Sequence, residues 1–426
     1  MTILLSSLSL SRLFGAILDC RMILTAFIFA LRIFVCLSDD SHIMRYFSKS
    51  FSVVLIFMSM GLTQHLQGAA SQPELSAWIK TIRAVSIEGL GNREASAASH
   101  SLGKQAPDTL VTILTGMKGA SPLAQNWLRS SIESIVHLAF KTDSPLPLMD
   151  LTEFLLNDEN APRARSLCFE LIQNSDTKAG EILLRGMLND PSNDLREKAV
   201  DQWIASGNEA LSDNQASTAK VIFRQALQYA RDVIQIRALA DELEKMEYTV
   251  DIPDLLGFIT DWKVVGPFHN LDRGGFETVF PPEKELRLDG TFDGKSGEVS
   301  WESLSSDDRF GMIDINDAYA GYQKEVTAYA HHAFISDQER PVQLRLGCKN
   351  AWKVWLNGEL LFGRDEYHRG MKIDQYIMDA GLRAGRNDIV VKICQNEQVE
   401  DWTIEWEFQL RVCDETGKAI HSLARQ

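Results

Sequence analysis

The chain has 426 residues, 45% of them hydrophobic and 24% charged, which is typical of a folded protein with two or three domains. Its formal net charge of −15 at pH 7 would repel nucleic acid and anionic lipid, so both are excluded as partners. The same charge favours solubility and therefore identifies no partner by itself.

The N-terminal 70 residues carry the features of a targeting sequence. A short basic region over residues 44–49 precedes an apolar run over residues 51–62, and the small residues 68–70 follow. This order predicts a signal peptide over residues 44–70 with cleavage after Ala70. We therefore expect an exported protein that is periplasmic or extracellular.

Residues 1–43 precede the predicted signal peptide. They contain a second apolar run, residues 22–37, which Arg32 interrupts and which is shorter than the roughly 20 residues that span a membrane. We interpret residues 1–43 as a start codon assigned upstream of the true initiator Met44. The alternative is a membrane anchor, and an uncleaved N-terminal segment would be the only contact with a membrane.

Four cysteines follow the predicted cleavage site: Cys168, Cys348, Cys394 and Cys413. Cys348 has the same parity as Val342, Leu344 and Leu346 in its predicted strand and should point inward with them. If the strands that end at Cys394 and begin at Trp402 form a hairpin, Cys413 lies about 35 Å from Cys394, beyond the reach of a disulfide. We expect buried or free thiols rather than a disulfide framework.

Residues 71–250 are predicted to form a helical domain. Ser121 followed by Pro122 predicts an N-cap and the first helical position, and Asp194 to Glu197 has the form of a capping box. Two apolar stripes at helical spacing follow later in this region. These stripes consist of Ala219, Phe223, Ala226, Leu227 and Ala230, and of Ile236, Leu239, Ala240 and Leu243.

A weak internal repeat lies within this helical region. Leu156-Asn157-Asp158 recurs 32 residues later as Leu188-Asn189-Asp190. The pattern resembles HEAT-type repeats, and the small-large stripe from Ala219 resembles a tetratricopeptide helix pair. Such repeats imply an α-solenoid that binds a protein partner. An irregular helical domain with chance similarity is the alternative.

Residues 251–426 are predicted to form an antiparallel β-sandwich. Alternating apolar and polar residues indicate strands over 342–348 and 402–412, and 260–268 reads as a strand closed by a Gly-Pro turn. Asn357-Gly358 between apolar runs predicts a tight hairpin, because both residues accept a positive φ. The predicted fold class is therefore multidomain α + β, a solenoid-like helical domain followed by a jelly roll.

The residues of this second domain also carry a family resemblance. Val354 to Gly358, Leu382 with Gly385, and the strand over 389–393 resemble the galactose-binding-like jelly roll, known from family 2 glycoside hydrolases and from accessory modules of exported bacterial proteins. The Trp262…Gly266-Pro267-Phe268 opening is similar to modules joined to helical repeats in secreted bacterial proteins of unassigned function. The resemblance implies a fold and a carbohydrate or protein docking role, but no activity.

One turn departs from that family's pattern. Where such modules often carry an acidic Ser-Asp-Asp-Gly-like turn, this chain has Cys348-Lys349-Asn350-Ala351. Any ligand or calcium binding that depends on the acidic turn is therefore in doubt here.

No catalytic, metal or cofactor constellation is evident in the sequence. Patterns for serine hydrolases, zinc proteases and phosphate-binding loops are absent. His331 and His332 are adjacent on a strand and point to opposite faces, so they would not chelate one metal ion. We expect no catalytic residues, no metal and no cofactor, and hence no enzyme.

The candidate ligand-binding residues are aromatic and polar side chains of the β domain. Sugar sites stack an aromatic face on a pyranose ring and hydrogen-bond its hydroxyl groups. The alternative is that each tryptophan packs against a neighbouring strand or the solenoid. The candidates are Trp352, Trp355, Tyr367, His368, Arg369 and Trp402.

The sequence thus favours an exported, non-catalytic scaffold protein whose helical repeats bind a protein and whose jelly roll binds carbohydrate or protein. A hydrolase acting on polysaccharide, or an accessory subunit of one, is the first alternative; it requires two carboxylates facing each other about 5–10 Å apart. A structural component of an envelope assembly is the second, and it requires a broad apolar patch.

Overall fold

A computed structural model of the protein describes residues 70–86 and 88–424. The predicted signal peptide and upstream segment lie outside the described residues, apart from Ala70 at the predicted cleavage site. Residues from Trp78 onward form one compact unit that contains both the helical region and the β-sheets. In the described part of the chain, no helix is long and apolar enough to cross a membrane.

The helical region occupies the first half of the described chain, as predicted. Polar caps open several helices: Ser121 Oγ accepts from Ala124 N at 3.2 Å, and Asp232 Oδ1 accepts from two amides of the following helix. The helices are α1 (Gln72–Arg83), α2 (Asn92–Leu102), α3 (Leu110–Thr115), α4 (Pro122–Lys141), α5 (Leu148–Leu156), α6 (Pro162–Ser175), α7 (Thr177–Arg185), α8 (Asn193–Ser212), α9 (Ala216–Tyr229), α10 (Val233–Lys245) and α11 (Ile252–Leu256).

Buried apolar stripes join neighbouring helices of this region. Both predicted stripes, on α9 and α10, are buried along their whole length. The predicted start of α8 was two residues late, because Ser192 rather than Asp194 caps it and accepts from Leu195 N. Arg165 on α6 makes a buried, bidentate ion pair with Asp190, which ties α6 to the turn before α8.

Antiparallel strands form the second half of the chain, which confirms the predicted α + β architecture. Six strands form one sheet in the order β4-β1-β6-β11-β8-β9, and four form another in the order β10-β7-β12-β5. The strands are β1 (Asp261–His269), β2 (Thr291–Gly294), β3 (Gly297–Ser300), β4 (Glu302–Ser305), β5 (Ile313–Asp314), β6 (Val326–Ser336), β7 (Arg340–Cys348), β8 (Ala351–Leu356), β9 (Glu359–Arg364), β10 (Tyr376–Leu382), β11 (Gly385–Gln395) and β12 (Glu407–Cys413), with the short helix α12 (Pro281–Lys284) between β1 and β2.

The two sheets pack face to face around one apolar core. Val264, Val354 and Val391 of the six-stranded sheet meet Leu344 and Leu410 of the four-stranded sheet in that core. The outer face of the six-stranded sheet is covered in part by the segment between β1 and β4, with Phe268, Phe292 and Tyr329 in a second, smaller cluster. The predicted hairpin at Asn357-Gly358 joins β8 to β9, and both turn residues have positive φ.

Strand register gathers several loops at one end of the six-stranded sheet. Val326, at the start of β6, pairs with the last residues of both β1 and β11. β8 begins beside the end of β11, and β9 ends beside the start of β8. The loops that follow β1, β9 and β11 therefore all emerge at this end.

Two predicted strands differ from the structure. The predicted strand from Trp402 begins only at Glu407, because Asp401–Thr403 is a 3₁₀ turn. Gly266-Pro267 does not close β1; it is a bulge, and β1 continues to His269.

The four cysteines of the described chain are buried and free, as expected. The reason is not the one inferred from the sequence. β11 and β12 belong to different sheets, so the assumed hairpin between them does not exist.

Candidate functional site

A surface cavity of about 400 Å³ lies at the end of the sandwich where the loops after β1, β9 and β11 meet. Aromatic, cationic, acidic and amide side chains share its wall, which is the mixture that binds sugars through ring stacking and hydrogen bonds. We call it the Trp402 pocket. It is lined by Arg273, Asp365, Tyr367, His368, Gln398 and Trp402.

Trp402 is the most exposed aromatic side chain of this pocket. The 3₁₀ turn over Asp401–Thr403 buries Thr403, whose hydroxyl donates to Glu400 O at 2.7 Å, and leaves the Trp402 side chain pointing outward, 60% exposed. The His368 ring meets the Trp402 ring edge to face, with ring centres 5.3 Å apart and planes at 84°. An exposed indole held by a neighbouring ring is a suitable surface for an apolar sugar face.

A cation and an aromatic ring, Arg273 and Tyr367, also line the pocket. The Arg273 guanidinium lies 5.2 Å from the centre of the Tyr367 ring and makes two hydrogen bonds to the Glu397 carboxylate. These bonds hold the pKa of Glu397 below its usual value and raise that of Arg273, so both groups stay charged. Burial raises the pKa of Tyr367, whose hydroxyl therefore stays protonated.

Buried amide side chains hold the loops of the pocket in place. Asn396 Oδ1 accepts from His368 Nε2 at 2.9 Å and from Gln398 N at 3.2 Å, and its Nδ2 donates to Gln398 Oε1. Asn270 Nδ2 donates both to Tyr367 Oη and to Gln395 O. We call Asn270, Gln395 and Asn396 the amide cluster; all three are buried, and together they fix His368, Tyr367 and Gln398 before any ligand binds.

The structure brings three of the six predicted ligand-binding residues together. Tyr367, His368 and Trp402 line one pocket, although they are up to 35 residues apart in sequence. Arg369, next in the loop, is exposed and faces Glu366, with Nε 3.5 Å from its carboxylate. It does not line the pocket.

The two predicted tryptophans of β8 lie elsewhere. Trp352 is a core residue, 1% exposed, tilted against Tyr376 with ring centres 4.8 Å apart. A ligand could not reach its ring, so its inclusion among the candidates is corrected. Trp355 points to the outer face of the sheet, where it packs against the smaller apolar cluster and not in the pocket.

Three residues of the pocket were missed by the sequence analysis: Arg273, Asp365 and Gln398. Each lies within four residues of a strand end, in the loops after β1, β9 and β11. The sequence pattern that could have identified them is a polar residue shortly after the end of a strand. Choosing them required knowing that these three strands end on the same side, which depends on the sheet order.

A second cavity, of about 810 Å³, lies between the helical region and the sandwich, and we call it the interdomain cleft. Three of the carboxylates that line this cleft already form hydrogen bonds or ion pairs within the protein. Asp232 caps α10, Asp308 Oδ1 accepts the amides of Phe310 and Met312, and Asp374 is paired with arginines. Among the described residues, no group of three or more His, Cys, Asp or Glu is placed to hold a metal ion.

A scan against protein-family models finds no match, and a search of curated protein sequences finds none either. Solved structures with some likeness include a family 35 carbohydrate-binding module from Clostridium thermocellum, 13% identical over 24% of this chain and 97% of that one, with a TM-score of 0.16. A β-glucuronidase from an uncultured Clostridium sp. is 9% identical over 37% of this chain and 29% of that one, with a TM-score of 0.23. Likenesses of this size carry no argument about ligand or activity.

Proposed function

We propose that this protein is a non-catalytic binding protein whose β-sandwich docks carbohydrate in the Trp402 pocket. The observation that carries the proposal is the exposed Trp402 ring beside polar groups that the amide cluster fixes in advance. A pyranose ring would stack on Trp402 while Asp365, Gln398 and Arg273 hydrogen-bond its hydroxyl groups.

The geometry of the carboxylates supports a binding role over hydrolysis. Hydrolysis of a glycoside requires two carboxyl groups that flank the scissile bond. The Trp402 pocket has one carboxylate in its wall, Asp365. The neighbouring Glu397 is held in a bidentate pair with Arg273.

A glycan array with the intact protein tests the proposal, followed by calorimetric titration of any glycan bound. We expect Trp402→Ala to weaken binding about two- to twelvefold, since an aromatic stacking contact contributes about 0.5–1.5 kcal/mol. Tyr322→Ala, which removes another exposed aromatic side chain, is the matched control and should leave binding unchanged. An array without a single bound glycan, or equal binding by Trp402→Ala, would refute the proposal.

The proposal also covers the role of the helical region and the location of the protein in or outside the cell. We propose that the helices are degenerate repeats that bind a protein partner, and that the protein is exported after cleavage behind Ala70. N-terminal sequencing of the native protein tests the export step: a mature chain that begins at Ser71 is expected, and one that retains residues 22–37 would overturn it.

A further inference from the structure

The interdomain cleft joins the N-terminal ends of two helices to loops of the sandwich. Asn193 of α8 and Val233, Ile234 and Gln235 of α10 line one wall, and residues from the 308–312 turn and the 371–374 loop line the other. Its volume of about 810 Å³ lies within the range of small-molecule sites. The cleft is distinct from the Trp402 pocket and shares no lining residue with it.

Four arginines converge on the Thr416-Gly417 turn beside this cleft. Arg196 Nη2 donates to Thr416 O at 3.1 Å. Gly417 has φ +83°, and a Cβ placed on it would lie 3.4 Å from Arg345 Nη1, 3.7 Å from Arg411 Nη2 and 3.8 Å from Arg231 Cβ. Guanidinium groups of Arg196 from the helical region and of Arg345 and Arg411 from the sandwich thus lie around one turn. We call Arg196, Arg231, Arg345 and Arg411 the arginine cluster.

Carboxylates neutralise only part of this cluster. Asp374 pairs with both Arg345 and Arg411. In the described part of the chain, Arg231 donates to the carbonyls of Gln228 and Ala230, and Arg196 donates to two carbonyls and to the Asn193 side-chain amide. Two guanidinium groups thus lie in the wall with uncharged hydrogen-bond partners, one of them on a residue only 7% exposed.

The described residues that line the cleft include five cationic and four acidic side chains, so cations are in slight excess. Arg237 and Lys372 are the two cations outside the arginine cluster, and the ends of α8 and α10 contribute the positive poles of two helix dipoles. On the acidic side, Asp232 and Asp308 accept backbone amides and keep their negative charge, and Asp414 lies near enough to Arg196 and Arg231 to offset part of their charge. Glu197 is the one lining carboxylate without such a structural role among the described contacts.

We propose that the interdomain cleft binds a small organic anion through a carboxylate or phosphate group. Planar guanidinium groups fit both kinds of oxyanion in a bidentate manner. Phe310, Met312 and Met371 supply an apolar wall for the organic part of the ligand. The cleft would thus bind a charged compound independently of the neutral sugar face expected at Trp402.

Calorimetric titration of the intact protein with two matched pairs of probes tests this site. Trigalacturonate is compared with its methyl ester, and glucose 6-phosphate with glucose, so that each pair differs in charge. We expect one charged probe to bind at least about tenfold more tightly than its neutral counterpart and to weaken as salt is raised. Which pair shows the difference separates a carboxylate ligand from a phosphate ligand.

Variants of the cleft then locate the binding. Arg231→Gln should weaken the charged probe about tenfold, and Arg237→Gln, on the exposed face of α10, gives a second test if the first variant folds poorly. Arg93→Gln on α2 is the matched control and should have no effect. Trp402→Ala removes the stacking surface proposed for sugars and should leave the preference for the charged over the neutral probe in place, which separates failure here from failure of the carbohydrate proposal. Equal binding of charged and neutral probes, or full binding by both cleft variants, would overturn the inference.

Discussion

Asp374 is the counter-charge of two arginines in the sandwich, Arg345 and Arg411. Its carboxylate accepts two hydrogen bonds from Arg411, which is fully buried, and one from Arg345 at 2.9 Å. Burial alone would raise the pKa of Asp374, but the two arginines outweigh burial and bring the pKa below its ordinary value of 3.8. The ionised carboxylate therefore stabilises the fold as long as it stays charged.

Asp374→Asn should lower the free energy of unfolding by about 3 kcal/mol at pH 7, because it leaves the Arg411 charge buried without a counter-charge. Because the folded-state pKa is depressed, this contribution is present above the unfolded-state pKa and is lost as the pH falls through the folded-state pKa. The difference between wild type and variant should therefore shrink below about pH 3.8. Urea unfolding at pH 7 and pH 3 measures both effects.

The exposed Asp379 of β10 provides the control for this prediction. Asp379→Asn removes a carboxylate from the same part of the chain and should change stability by less than about 0.5 kcal/mol. A gap between wild type and Asp374→Asn that is equally large at both pH values would contradict the role given to the ion pair.

At the scale of elements, periodicity predicted most of the fold and part of the site. The stripes of α9 and α10 and the hairpin at Asn357-Gly358 are local patterns, and the structure confirms them. Trp352 could have been excluded as a ligand contact, since it shares the parity of the buried Val354 on β8. The cover over Trp355 could not be predicted, because it comes from a segment more than 50 residues away.

The Trp402 pocket is built from loops. Asn396, which directly follows β11, connects two of these loops through hydrogen bonds to His368 and Gln398. Asn396→Ala would leave His368 and Gln398 without their buried partner, so we expect a loss of about 2 kcal/mol in the free energy of unfolding. Carbohydrate affinity should fall as well, since the pocket is no longer fixed in advance. Chemical unfolding and titration with a glycan identified on the array measure the two effects.

An exposed asparagine provides the control for Asn396. Asn208→Ala on α8 should change stability by no more than about 0.5 kcal/mol and should leave affinity intact. If Asn396→Ala were as stable as the wild type, the amide cluster would not be what orders these loops.

At the scale of the whole molecule, the helical region and the sandwich are joined through the turn over residues 306–312. Phe310 lies under the guanidinium of Arg237 on α10, at 4.6 Å from its ring centre, and its carbonyl accepts from Gln409 Nε2 of β12. Arg309 adds ion pairs to Asp241 and Glu244, but these groups are more than 40% exposed and contribute little by themselves. The Phe310–Arg237 contact is therefore one part of this junction, beside the hydrogen bond from Arg196 to Thr416 O.

This junction predicts that the two halves unfold together. Far-UV circular dichroism reports mainly the helices, whereas six of the nine tryptophans lie in the β region, so their fluorescence reports mainly the sandwich. The thermal midpoints of the two signals should coincide in the wild type and separate by about 5 °C in Arg309→Ala/Phe310→Ala, since a 1 kcal/mol change shifts the midpoint by about 2–4 °C in units of this size.

Phe362→Ala/Arg364→Ala removes a similar ring–guanidinium pair within the sandwich and should shift the midpoints without separating them. Because coupling requires contact across the cleft, wild-type midpoints that already differ would show that the two halves fold independently and that the interdomain cleft is not a fixed cavity.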